Sequence, residues 1–110
     1  MTLLLLGAAA SPLGASSKVP PWEKPFQVGR NLYRENCIVC HDINKAETKK
    51  LGPSLFRLFQ NEKLPFSGGT PSEPYVDIKI QFGGDVMPAF VNKLTPGQIK
   101  QIIEYIRTRH

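Results

Sequence analysis

Cys37-Ile38-Val39-Cys40-His41 constrains this chain more than any other stretch of its 110 residues. Residues three apart fall on one side of a helix, so both sulfurs can be presented to one edge of a flat group. The histidine that follows turns its ring to the same side. Cys-x-x-Cys-His is the spacing that attaches a c-type haem covalently, through thioethers to its two vinyl groups, with the imidazole ligating the iron. The chain has no other cysteine, so neither a further disulfide nor a four-cysteine metal site can be built. A zinc site on two Cys and two His would have to recruit His110 from the far end of the chain. A simple disulfide or a thioredoxin-like pair would leave His41 incidental, and the latter calls for a βαβ setting that this sequence lacks. The motif points to an electron carrier.

At 110 residues the chain is expected to form one small domain. Domains of this size bury a modest fraction of their surface and often lean on a covalent or cofactor staple. A haem would serve as core and cofactor together. The first seventeen residues carry no charge, and an apolar run from Thr2 to Ala10 is followed by small residues through Ser17. Residues 1–17 read as a signal-peptide-like leader, although no Lys or Arg follows Met1 as an n-region would have; the alternative is a buried first helix, which Gly7, Pro12 and Gly14 would interrupt. The apolar run is too short for a stable membrane span, which needs roughly 18 residues. A periplasmic or otherwise exported location follows, and it suits the haem reading, because both thiols must meet haem outside the cytoplasm in reduced form.

Charge adds a statement about partners. The formal net charge is +5, and Lys45, Lys49 and Lys50 follow the cysteine motif while Lys93, Lys100, Arg107 and Arg109 crowd the other end. Such a distribution either steers the chain toward an acidic docking surface or is a solvated surface. A basic stripe with interleaved aromatics is absent, so nucleic acid is not an expected partner.

Residues 18–25, with Pro20, Pro21 and Pro25, read as a Pro-rich extended arm, and 26–110 as the haem domain. From Phe26 apolar and small residues recur at helical steps up to the cysteines. Gly29 inside that pattern is either the mark of a close backbone approach or a tolerated glycine. Thr95, Pro96 and Gln98 form a Thr-x-x-Gln capping box with proline at the first helical position, and Ile99, Ile102, Ile103 and Ile106 make one apolar stripe with Tyr105 beside it. A helix from Pro96 to about Arg107 is expected. Phe56 to Phe59 reads as one or two helical turns, and Leu64 to Pro74 as an irregular loop. Periodicity leaves Tyr75 to Phe82 open between strand and helix.

An iron held by His41 takes a second axial ligand, and Met1, Met87 and His110 are the side chains of the usual kind. Met1 lies in the leader and His110 is terminal. Met87 is the candidate, in Gly83-Gly84-Asp85-Val86-Met87-Pro88, where glycines let the backbone bend around a flat ring.

From about Phe26 to Arg107 the chain resembles the class I monohaem cytochromes c, close to the short bacterial type. The resemblance is carried by Gly29 with Tyr33, the cysteine motif, Gly52-Pro53, Ile80-x-x-Gly83-x-x-x-Met87-Pro88, and a final helix with Ile102 and Tyr105. It implies an all-α fold, three to five helices with loops wrapped around one covalent haem c and its iron. It implies that the first and last helices cross, so that Gly29 and Tyr33 meet Ile102 and Tyr105. It further implies that the Pro53 carbonyl accepts a hydrogen bond from the His41 ring, and it tips Tyr75 to Phe82 toward helix. The cofactor-binding set is then Cys37, Cys40, His41, Pro53 and Met87, with His41 and Met87 on the metal.

The expected activity is that of a soluble, monomeric one-electron carrier rather than an enzyme. Its expected donor is a dehydrogenase or quinol-oxidising complex, and its acceptor an oxidase or another cytochrome. The rival readings are a ligand-binding or peroxidatic haem protein and a dedicated cytochrome subunit of a larger dehydrogenase or oxidase.

Overall fold

The computed structural model describes residues 21–61 and 71–109. Three α-helices frame it: α1, Gln27–Asn36; α2, Glu73–Phe82; and α3, Pro96–Arg107. Short 3₁₀ segments at Pro21–Phe26 and Leu58–Gln60 are the other helical elements among the described residues, which contain no strand. The fold is all-α, as the resemblance implies. The leader expected over 1–17 lies outside the described residues.

Helix α3 begins where its cap chemistry dictates. The Thr95 hydroxyl accepts from the Gln98 amide at 3.1 Å, and the Gln98 side chain accepts from the Thr95 amide at 2.9 Å. Two amides that a helix start leaves orphaned are thus satisfied reciprocally. Ile99, Ile102, Ile103, Tyr105 and Ile106 are all buried, so the stripe faces the core throughout. Thr95→Ala is expected to lower unfolding stability by about 1 kcal/mol, read as a lower denaturant midpoint at unchanged slope.

Helix α1 packs on α3 through its smallest residue. A Cβ placed on Gly29 would overlap the Gln101 carbonyl and lie 2.9 Å from the Tyr105 Cβ, which settles the glycine as a point of close approach. Four residues on, Tyr33 is buried with its ring centroid 5.8 Å from that of Tyr105. The two rings tilt against each other and seal the crossing.

The segment left open by periodicity is helical. Ser72 caps α2 by accepting from the Tyr75 amide at 3.4 Å, and Pro74 sits in the first turn, where a missing N–H costs nothing. The loop expected to run to Pro74 therefore ends at Ser72, and its residues 64–70 lie outside the described ones. Val76 and Ile80 are buried, whereas Ile78 and Phe82 are 57% and 62% exposed. Apolar residues on both faces blurred the period. At its start, Glu73 meets Arg107 at 3.0 Å and Lys100 at 3.6 Å, tying α2 to α3. The hydrogen bond from Arg107, then the charge of Lys100, lower the Glu73 carboxyl below its ordinary pKa.

Two further features differ from expectation. Residues 21–25, read as extended, lie in the 3₁₀ segment Pro21–Phe26. Proline's fixed φ is compatible with helical turns, and a stretch this short loses little from missing donors. The turn expected over Phe56–Phe59 is the single 3₁₀ turn Leu58–Gln60. It follows Arg57, a non-glycine residue at φ 58°, whose amide donates to the Arg109 carbonyl at 2.9 Å. That bond ties the central loop to the end of α3 and holds the left-handed residue in place.

Candidate haem site

The cysteine motif is a turn that continues from the end of α1. The helix closes at Asn36, and the Cys37 and Ile38 amides still donate to the Tyr33 carbonyl at 2.7 and 3.1 Å. The Cys40 and His41 amides then both donate to the Cys37 carbonyl, at 3.1 and 3.0 Å. These bonds keep the chain coiled, which is why both sulfurs remain on one side although the α-helix has ended. Both cysteines are half-buried and unpaired. Burial first, and then the neighbouring Cys40, push the Cys37 thiol up to about 11, so it is protonated at neutral pH.

His41 is oriented from two directions. Its Nδ1 lies 2.7 Å from the Pro53 carbonyl oxygen. A carbonyl only accepts, so Nδ1 carries the proton and Nε2 is left with its lone pair. A Cβ on Gly52 would sit 2.5 Å from the His41 Cε1 and 2.8 Å from its Nδ1, so the backbone at 52 presses directly on the imidazole. The Gly52 amide also donates to the Cys40 carbonyl at 2.7 Å. Behind the ring, the Tyr33 hydroxyl donates to the His41 carbonyl at 2.7 Å. Burial, then the nearby Cys37, raise the Tyr33 pKa well above the ordinary tyrosine value, so that donor stays protonated.

Met87 arrives on a loop pinned to α2. Gly83 ends the helix at φ 69°, and a side chain there would run into the Met87 carbonyl. The Gly84 amide donates to that same carbonyl at 3.0 Å, which closes the loop around Asp85 and Val86. Beyond Met87, the Phe90 amide reaches the carbonyls of Ile80 and Gln81, both at 3.1 Å, and the Val91 amide reaches Gln81 at 3.0 Å. Carbonyls that a helix end leaves open are thereby filled by the returning chain. The methionine is held between two fixed points.

Cys37, Cys40, His41, Pro53 and Met87 all line one cavity of about 480 Å³, walled by apolar residues that include Leu55, Ile80, Phe90 and Ile102. Two thiols at one edge, an imidazole with a free lone pair, a thioether and an apolar wall form a donor set that suits a flat iron porphyrin. Tyr75 and Lys79 also line it and were not singled out by sequence. They are an i, i+4 pair, a relation that becomes readable only once α2 is known to be helical.

The basic residues divide in the structure. Lys45, Lys49 and Lys50 are all exposed, but the Lys50 head group folds back onto the cysteine motif, where it bonds to the Ile38 and His41 carbonyls. At the other end, Lys100 and Arg107 engage Glu73, and Lys93 lies 5.7 Å from the centre of the Phe90 ring.

A family model described as cytochrome C oxidase, cbb3-type, subunit III matches residues 24–106. Cytochrome c2 of Pararhodospirillum photometricum is 38% identical over 48 residues, which cover 44% of this chain and 42% of that protein. The match thus spans less than half of that relative's length.

Proposed function

The chain belongs to the cytochrome c family described by the cbb3-type oxidase subunit III model, and from that membership we propose that it is an exported one-electron carrier with His41 and Met87 as its axial ligands. Membership brings a covalently attached haem c with its iron, and haem-based electron transfer as the general activity. One-electron exchange between ferrous and ferric iron is the chemistry that this group supplies when bound. Cys37 and Cys40 are assigned the two thioether bonds. His41 would offer Nε2 to the metal, with the Pro53 carbonyl holding its other nitrogen. Met87 would offer its sulfur, and thioether with imidazole ligation would favour the ferrous state and raise the reduction potential.

The observation that carries this reading is the convergence of two thiols, one oriented imidazole and one loop-held thioether on the same apolar cavity. The apolar wall excludes water and disfavours the extra charge of ferric iron. Residues 26–110 are assigned to the haem domain and 1–17 to an export leader. The redox partners are proposed to be a dehydrogenase or quinol-oxidising complex on one side and an oxidase or another cytochrome on the other, meeting a monomeric carrier. Lys45 and Lys49, exposed close to the motif, favour partners with acidic docking surfaces, and reduction by such a partner should slow as salt rises.

The visible spectrum of protein purified from cells competent in cytochrome maturation, before and after dithionite, tests the reading. Sharp ferrous bands that survive acid-acetone extraction are the expected result. A colourless preparation would refute it. Met87→Ala is expected to keep the covalent haem but lose the weak far-red band of sulfur bound to ferric iron, and to gain carbon monoxide binding when reduced. Retention of that band would remove Met87 from the assignment. The description of the matching family as an oxidase subunit favours one second reading, a cytochrome held permanently in a larger complex. Gel filtration of a native extract separates the two: a carrier elutes as a single small chain, below the 12.3 kDa of the unprocessed polypeptide once the leader is removed, a subunit with its complex.

A further inference from the structure

Lys50 belongs to the basic cluster that follows the cysteine motif, yet its head group is engaged at the surface by the chain's own acceptors. Its Nζ lies 2.6 Å from the Ile38 carbonyl oxygen, 3.3 Å from that of His41 and 3.4 Å from Asp42 Oδ1. An ammonium has three donors, and here they meet three acceptors. The Lys50 amide donates to Thr48 Oγ1 at 3.0 Å, which fixes the base of the side chain as well. Only 34% of the Lys50 side chain is exposed, and 17% of that of Asp42. A lysine whose role is to steer partners would keep its charge in water on a flexible stem.

The carbonyls around the motif are answered by separate parts of the fold. Ile38 receives Lys50, Cys40 receives the Gly52 amide, and His41 receives both Lys50 and the Tyr33 hydroxyl. The Asp42 carbonyl takes the Leu55 amide at 2.8 Å. Lys50 is the member of this set that carries charge, and it is the member that spans from the middle of the motif to the residue beyond it.

Resting on the electron-carrier reading, we propose that Lys50 is a positioning residue for His41: it clamps the peptide that carries the imidazole and neutralises the Asp42 carboxylate beside it. Removing the ammonium frees the Ile38 carbonyl, leaves the His41 carbonyl with the Tyr33 hydroxyl alone, and uncovers a negative charge one residue from the proposed ligand. A negative charge there stabilises ferric iron. Removing the carboxylate instead leaves the ammonium uncompensated, with the opposite effect.

Equilibrium redox titration of the haem-bearing protein tests this with Lys50→Met, Asp42→Asn, the double variant, and Lys49→Met as an exposed neighbour. At fixed solution potential, Lys50→Met is expected to raise the ferric-to-ferrous ratio by about three- to tenfold. Asp42→Asn should lower that ratio, and the double variant should return to within about twofold of wild type, as should Lys49→Met. Solvent exchange of the His41 Nδ1 proton, followed by NMR, should quicken in Lys50→Met and not in Lys49→Met. Lys50→Met and Lys49→Met behaving alike in both measurements would overturn the proposal. If Lys50→Met yields no folded holoprotein, Asp42→Asn carries the test, and an unchanged or raised ferric ratio there overturns it. A wild type without covalent haem overturns both readings, whereas a haem-bearing wild type with a silent Lys50→Met overturns this one alone.

Discussion

A chain carrying Cys37→Ala together with Cys40→Ala is expected to emerge without covalent haem and without a cooperative thermal transition. The thiols are the pair that can form thioethers in this sequence, so attachment has no other route. The effect on folding follows from size. A cavity of about 480 Å³ lies among Leu55, Leu58, Val76, Ile80, Phe90 and Ile102, all of which need an apolar neighbour on that side. The cleft opens to solvent, so without haem water would lie against these walls and the apolar burial that the group supplies would be missing. A domain's whole stability is only about 5–15 kcal/mol, so this loss is expected to abolish the cooperative transition. Circular dichroism melting of the double variant beside wild type is the measurement, and a sharp transition in haem-free protein would contradict the account.

Gly29→Ala is expected to destabilise the protein by at least about 3 kcal/mol, the upper end of what overpacking usually costs. A methyl group in a core is normally absorbed by rotation of a neighbouring side chain. Here the first atom it meets is the Gln101 carbonyl, part of the backbone of α3, with the Tyr105 Cβ 2.9 Å away on the same helix. Neither can turn aside. Relief requires α1 and α3 to separate, which would also part Tyr33 from Tyr105 and loosen the hydroxyl that holds the His41 carbonyl. Denaturant unfolding of the variant should show the lost stability. A midpoint within error of wild type would mean that the helices approach less closely than described.

Some elements could be read in one dimension because their signals are local. The box at Thr95 and Gln98 and the isoleucine stripe at steps of three and four place α3 without any knowledge of its neighbours, and the helix is found over Pro96–Arg107. The spacing of Cys37, Cys40 and His41 announces its chemistry in the same way. Helix α2 was hidden for a physical reason. Ile78 and Phe82 stand in solvent beside the buried Val76 and Ile80, so its apolar residues do not report one face. The prolines at 21 and 25 were misread as extended because proline is equally at home in a short 3₁₀ turn. Arg57 at positive φ carries no mark in the sequence, since its conformation is imposed by the bond to Arg109 across the fold.

Covalent attachment of the cofactor, the place of His41 beside the two cysteines and the amphipathic last helix are all legible in the linear chain. Each of those depends on residues within a few positions of one another, where covalent spacing and helical period set the geometry. Which way the charges and ring nitrogens point depends on contacts between distant parts of the folded chain. Twelve residues separate His41 from Pro53, and eight separate Tyr33 from the carbonyl it meets. Lys50 looks in the sequence like one more free surface cation, and folding engages its head group because three acceptors converge where it reaches. Convergence of that kind is a property of a closed chain in three dimensions, since hydrogen bonds act over about 3 Å whatever the distance along the polymer.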